Sequence, residues 1–135
     1  MSTFMNTTRL SDALSAIRTN CNRAWLLSSY TAGDSYATCL SNRVAEITIS
    51  SSNFTVGNSG NNRTLTFTAP ASPGNTGTAS ANVADGTNMH IAFVDTVNSV
   101  VEVVTEETTD QAVVSGNPIQ FPTGVVLTLN QPSGV

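Results

Sequence analysis

Residues 89–105, Met-His-Ile-Ala-Phe-Val-Asp-Thr-Val-Asn-Ser-Val-Val-Glu-Val-Val-Thr, constrain this chain more than any other stretch. Met89, Ile91 and Phe93, then Val101 and Val103, recur at the period of two that places side chains on one face of a strand. Residues 100–104 are almost unbroken β-branched residue, the type that packs best on a pleated surface. Between the runs, Asp95-Thr96-Val97-Asn98-Ser99 is polar, and Asp and Asn side chains can close a turn on their own backbone. The stretch predicts a β-hairpin near the middle of a sheet, with earlier strands packing on it. His90 falls on the face opposite Met89, Ile91 and Phe93.

The remaining pattern is mostly strand. Leu10, Ala13, Leu14 and Ile17 form an apolar stripe of helical period over residues 8–20, capped by Thr7 or Thr8, with Asp12 in the first turn. This is the one helix expected, and its narrow stripe suits the edge of a sheet or a neighbouring subunit. Strands follow at residues 24–30 and 44–50, the second alternating cleanly. Phe54-Thr55-Val56 and Thr64-Leu65-Thr66-Phe67 flank a Gly/Asn loop and read as a hairpin. Residues 69–78, rich in Pro, Gly, Ser and Thr, read as a long surface loop rather than a linker. Further strands are expected at 78–83 and 111–114, an edge segment at 119–122, and a last strand at 125–129. Short strands with Gly/Pro turns imply an all-β fold, a single β-sandwich or jelly-roll-like domain with one short N-terminal helix. Residues 1–8 form an N-terminal arm, dispensable for folding, and residues 9–135 the helix and β body.

Charge bounds the partners. Only 10% of residues are charged, the net charge is −4, and all five basic residues are arginines. Duplex nucleic acid needs clustered cations to neutralise phosphates, so nucleic acid is excluded as a partner. Ser, Thr, Asn and Gly must cover the surface, which suits broad, lasting contacts. No segment approaches the roughly 20 apolar residues of a membrane span, and the N-terminus lacks a signal-peptide core. The expectation is synthesis in a cytoplasm with no membrane partner. Cys21 and Cys39 fit neither a redox pair nor a disulfide framework and are expected as two buried free thiols in preference to a bridge.

Catalytic chemistry finds little footing. His90 is the sole histidine, and zinc wants three or four converging ligands. No nucleophile elbow G-x-S-x-G accompanies it. Glu102, Glu106 and Glu107, with Asp95 and Asp110, are better explained as a solvated face than as a carboxylate pair or calcium loop. Gly57-Asn58-Ser59-Gly60 lacks the lysine and helix of a phosphate loop. No enzyme, cofactor or metal is expected. A carbohydrate-binding module would need exposed aromatic platforms, yet Trp25, Phe54, Phe67 and Phe93 all sit where a strand core should be.

The layout resembles small virion structural proteins of tailed phages and prophages, of the capsid decoration or cement type. The resemblance rests on the N-terminal helix at Arg9–Arg18, the strand Trp25–Tyr30, and Val44-Ala45-Glu46-Ile47-Thr48-Ile49-Ser50 followed by Phe54. It continues with Gly77-Thr78-Ala79 and with Phe93-Val94-Asp95 before a turn and Val100-Val101. The first strand departs from the pattern, running Ser29-Tyr30-Thr31 where a Tyr-Asp-Gly ending is usual. The resemblance implies a β-sandwich subunit made in the cytoplasm of a bacterial host and placed on the outer surface of a virion capsid, a dimer or trimer bound to the major capsid protein. Tail, neck or fibre roles, or a carbohydrate-binding module, are the alternatives. Phe4, Met5, Arg9, Arg18 and Arg43 are the candidate capsid contacts.

Overall fold

The computed structural model describes residues 4–107 and 111–132. The central hairpin forms as its pattern predicts: β6 (His90–Asp95) pairs antiparallel with β7 (Val100–Glu106). In the turn, the Asp95 carboxylate accepts from the Val97 and Asn98 amides at 2.9 and 3.1 Å and from the Asn98 side chain at 2.7 Å. These bonds hold its pKa below the ordinary value, the Asn98 side chain contributing most. Asn22 latches the turn to the body, since its side-chain oxygen accepts from the Thr96 amide at 3.0 Å.

β6 is an interior strand. It pairs with β1 (Arg23–Leu27), which pairs with β2 (Arg43–Thr48), giving a four-stranded sheet in the order β2-β1-β6-β7. Ala24, Leu26, Ile47, Ile91 and Phe93 face one side and join the larger core cluster; Trp25, Leu27, Ala92 and Val94 face the other. Both faces are covered, so β1 and β6 are apolar along nearly their whole length. Two bulges adjust the sheet. The register between β1 and β2 skips Val44, which turns inward together with Ala45; the register between β6 and β7 skips Glu102.

A second sheet contains β3 (Phe54–Ser59), β4 (Asn62–Phe67) and β9 (Val125–Leu129), in the order β3-β4-β9. The Gly/Asn loop predicted between β3 and β4 is only a two-residue turn, because Ser59 pairs with Asn62. Gly60 takes φ +61°, as the first central position of a type II′ turn requires. Phe54 and Phe67 pair across the strands and meet Phe93 of the first sheet, with ring centroids 4.8–5.4 Å apart. A third, two-stranded sheet pairs β5 (Thr76–Thr78) with β8 (Pro118–Gln120).

The helices differ from expectation. α1 (Thr7–Asn20) is capped by Asn6, whose side chain accepts from the Thr8 amide at 2.8 Å. It therefore starts inside the stretch expected to be an arm. Asp12 lies beyond its first turn and pairs with Arg9 at 3.0 Å. Leu10 and Leu14 are buried, while Ala13 is exposed and the stripe continues through Ile17. The arm is tied down: the Gln131 amide accepts from Met5 N at 3.0 Å and donates to Met5 O at 2.7 Å. Removing residues 1–8 would cost the helix cap, about 1 kcal/mol, as well as this clamp.

A second helix, α2 (Tyr36–Asn42), overturns the expectation of a single helix. Ser35 caps it, accepting from the Thr38 amide at 3.2 Å. Its seven residues bury only Cys39 fully, too short a stripe for periodicity to reveal. The strand expected at 78–83 ends at Thr78, and the one at 111–114 reduces to a bridge between Val83 and Val113. Side chains replace the ladder there, with Asn82 accepting from the Ser115 amide at 2.8 Å. The first strand stops at Leu27 rather than residue 30, because the Ser28 amide turns to the Asn42 carbonyl at 2.9 Å.

β5 runs against β2. The Ser80 amide donates to Val44 O at 2.8 Å, and a Cβ on Gly77 would lie 2.5 Å from the Glu46 carbonyl oxygen. Backbone cannot yield as a side-chain tip can. Gly77→Ala should lower stability by about 1–3 kcal/mol, read as a fall in the urea midpoint with unchanged slope; a midpoint equal to wild type would show that β5 is free to move.

Candidate functional site

A cleft of about 640 Å³ lies at the end of the molecule where β1 stops and β6 begins. Leu26 and Ile91 of the four-stranded sheet, with Met89 just ahead of β6, form its floor. Loop 69–75, residues 111–113 and the segment around β8 form its walls, with Ile119 and Phe121 set between Pro118 and Pro122. Among the described residues its lining contains one ionisable side chain, Glu107, whose backbone amide donates to Met89 O at 2.9 Å. Such a lining suits burial of an apolar group with polar contacts at the rim. Sequence reasoning missed the cleft because three loops build it; the available signal was the pair of apolar residues between prolines at 118–122.

His90 does not line the cleft. Its neighbours Met89 and Ile91 do, and β-alternation sends His90 to the opposite face, where its ring meets Tyr30 at 5.5 Å between centroids. Its Nδ1 is buried without a hydrogen-bond partner among the described residues. No group of three or more His, Cys, Asp or Glu is placed to hold a metal among the described residues; Asp110 of the predicted acidic set lies outside them. Glu102 contacts the Asn20 side chain at 3.5 Å, at the far end of β7 from Glu106 and Glu107.

The same face as His90 carries a polar network around Trp25. The buried indole N–H donates to Glu46 at 2.9 Å, and Glu46 also accepts from Arg43 at 2.8 Å. Arg43 lies over the Trp25 ring at 5.4 Å, and Tyr36 of α2 meets the ring at 5.2 Å. Trp25 and Glu46 are cross-strand partners in the β1–β2 register, which places carboxylate and indole together.

The five residues expected to touch a capsid do not form one patch. Phe4 and Met5 are 66% and 43% exposed beside the start of α1. Arg9 sits on the first turns of that helix, paired to Asp12, and Arg18 near its end donates to Ser51 O at 3.2 Å. Arg43 is on the other side of the four-stranded sheet, engaged with Glu46 and Trp25. Every arginine of the chain has an internal partner, since Arg23 donates to Asn22 O and Arg63 to Asn62 O and Gly60 O.

Cys21 and Cys39 are buried free thiols, and they pack on opposite faces of the four-stranded sheet. Burial pushes the Cys21 thiol up to about 12, helped by the nearby Glu102 and Asp95 carboxylates. Burial raises Cys39 as well, with a smaller push from Asp34. No helix is long and apolar enough to cross a membrane among the described residues. Comparison of the chain with protein-family models, with curated proteins and with solved structures gave no match.

Glu46→Ala should cost about 1–3 kcal/mol, because it leaves the buried Trp25 N–H without an acceptor; the half-exposed ion pair with Arg43 adds less than about 1 kcal/mol. Glu46→Gln keeps an acceptor and should recover most of the loss in chemical denaturation. The thiols provide a second check. With its thiol near 12 instead of 9.0, Cys21 carries about a thousandfold less thiolate at pH 8 than an ordinary cysteine. The folded protein should therefore resist a thiol-specific reagent at pH 8 and release two reactive thiols in denaturant; rapid labelling of the native protein would contradict the packing.

Proposed function

We propose that this protein is a virion structural subunit of the capsid decoration type, which adheres to the major capsid protein and carries out no reaction. We read its two larger sheets, facing each other across Phe54, Phe67 and Phe93, as a sandwich-like body. The observation that carries the functional reading is the surface. Charged residues make up 10% of the chain and lysine is absent. Every arginine is hydrogen-bonded within the molecule. A guanidinium has five N–H donors, so Arg9 and Arg18 on the α1 flank keep donors for carboxylates of a partner. That flank is the best candidate for contact with a shell. Arg43 is a structural residue in this reading, since its charge is spent on Glu46 and Trp25.

Wide contacts of this kind gain strength by multiplicity. Many weak interactions on a shell of repeating subunits combine through effective concentration. The glycan-binding alternative is left with a small platform, because Trp25, Phe54, Phe67, Phe93 and Phe121 are buried, Tyr30 and Tyr36 are half-buried and Phe4 alone of the aromatics is exposed. The test adds the protein to expanded, undecorated capsids built from a tailed-phage major capsid protein whose gene neighbours its own. Saturable co-sedimentation is expected, weakened at least about tenfold by the double reversal Arg9→Glu, Arg18→Glu, equivalent to 1.4 kcal/mol or more. No binding to such capsids, or a specific hit on a glycan array, would overturn the reading.

A further inference from the structure

The molecule carries an apolar projection at one end and an apolar recess at the other. The projection is Phe4 with Met5, exposed in water and held in place by the Gln131 amide. Gln131 is itself fixed to the β3–β4 turn, its backbone amide donating to Asn62 at 2.8 Å and its side chain to Asn61 O at 3.3 Å. The recess is the cleft of about 640 Å³ floored by Leu26, Met89 and Ile91. That volume lies in the range of sites that engulf a compact ligand, and it is ample for a phenyl ring and a thioether. Met and aromatic side chains suit each other and an irregular apolar pocket.

The arm cannot fill the cleft of its own chain. Its root is at Asn62, the first residue of β4, whereas the cleft walls Ala69 and Pro70 lie beyond Phe67, the last. Five strand steps at roughly 3.3 Å each separate the two ends by about 17 Å. Phe4 is one residue from the clamped Met5, so it spans only about 4 Å of that gap. A second copy meets no such limit. Charge agrees with this pairing: Arg9 and Arg63 flank the arm, with Asp12 offsetting the first, while Glu106 is exposed beside the cleft.

We infer that Phe4 and Met5 of one copy dock into the cleft of a second copy. The contact is head-to-tail, since arm and recess are different surfaces, and it generates a ring if the rotation closes or a chain if it does not. It goes beyond adhesion to a shell and requires none, so a failure of capsid binding leaves it standing.

The full chain in sedimentation velocity tests it with two variants. Phe4→Asp, Met5→Asp disables the arm and leaves the backbone clamp intact. Ala112→Trp places a ring in the cleft mouth from an exposed position. The wild type should associate as its concentration rises, and each variant alone should associate at least about thirtyfold more weakly. An equimolar mixture should form heterodimers and stop there, because one good arm meets one good cleft and no further surface remains. A wild type that stays monomeric, a variant that self-associates like wild type, or a mixture that stays monomeric would each overturn the inference. If Ala112→Trp fails to fold by thermal melting, an excess of a free peptide copying residues 1–8 should dissolve the wild-type oligomer instead, and an oligomer indifferent to it overturns the inference equally.

Discussion

The meeting of Phe54, Phe67 and Phe93 is the contact on which the rest of the architecture depends. Two rings come from one sheet and the third from the other, so the cluster is what joins them. Burying each ring is worth about 1.5–3 kcal/mol, and well-placed ring pairs add about 0.5–1.5 kcal/mol. Phe93 also fixes the register of β6, because a one-residue slip would exchange it with His90's face. With Phe93 inward, Trp25 and Val94 must point the other way, and that second face then needs a cover. α2 supplies it through Tyr36 and Cys39.

Strong alternation made part of this legible in the sequence. The hairpin at β6 and β7, the strand at β2 and the pairing of β3 with β4 follow from period-two patterns with β-branched residues. Asp95 and Asn98 closing a turn follows from their chemistry, as does the free state of the cysteines. What stayed hidden depends on tertiary context. α2 is built from Tyr-Ala-Thr-Cys-Leu-Ser-Asn, whose composition is that of a loop, and only its packing under the four-stranded sheet makes it a helix. Val83 and Val113 pair in isolation because side-chain hydrogen bonds displace the expected strands around them.

The candidate site was less legible than the fold. Residues distant in sequence, such as Leu26, Ile91, Val113 and Phe121, share the cleft, and no local pattern brings them together. The arginines illustrate the opposite error. As a sequence they look like free cations awaiting a partner, yet each is first committed to an oxygen of its own chain. Gly77 shows how a small residue can be required with no turn in sight: the Glu46 backbone occupies the space a methyl group would need.

β7 closes the four-stranded sheet on one side and has no strand beyond it among the described residues. An open ladder of amides and carbonyls is a template for another chain, and a flat one of valines would invite fibres. The skipped register at Glu102 bends this border, and the charges of Glu102 and Glu106 hold it in water. Unlimited strand-by-strand growth is thereby discouraged at this valine-rich border. The border that backbone hydrogen bonding could extend is kept from serving as a docking strand.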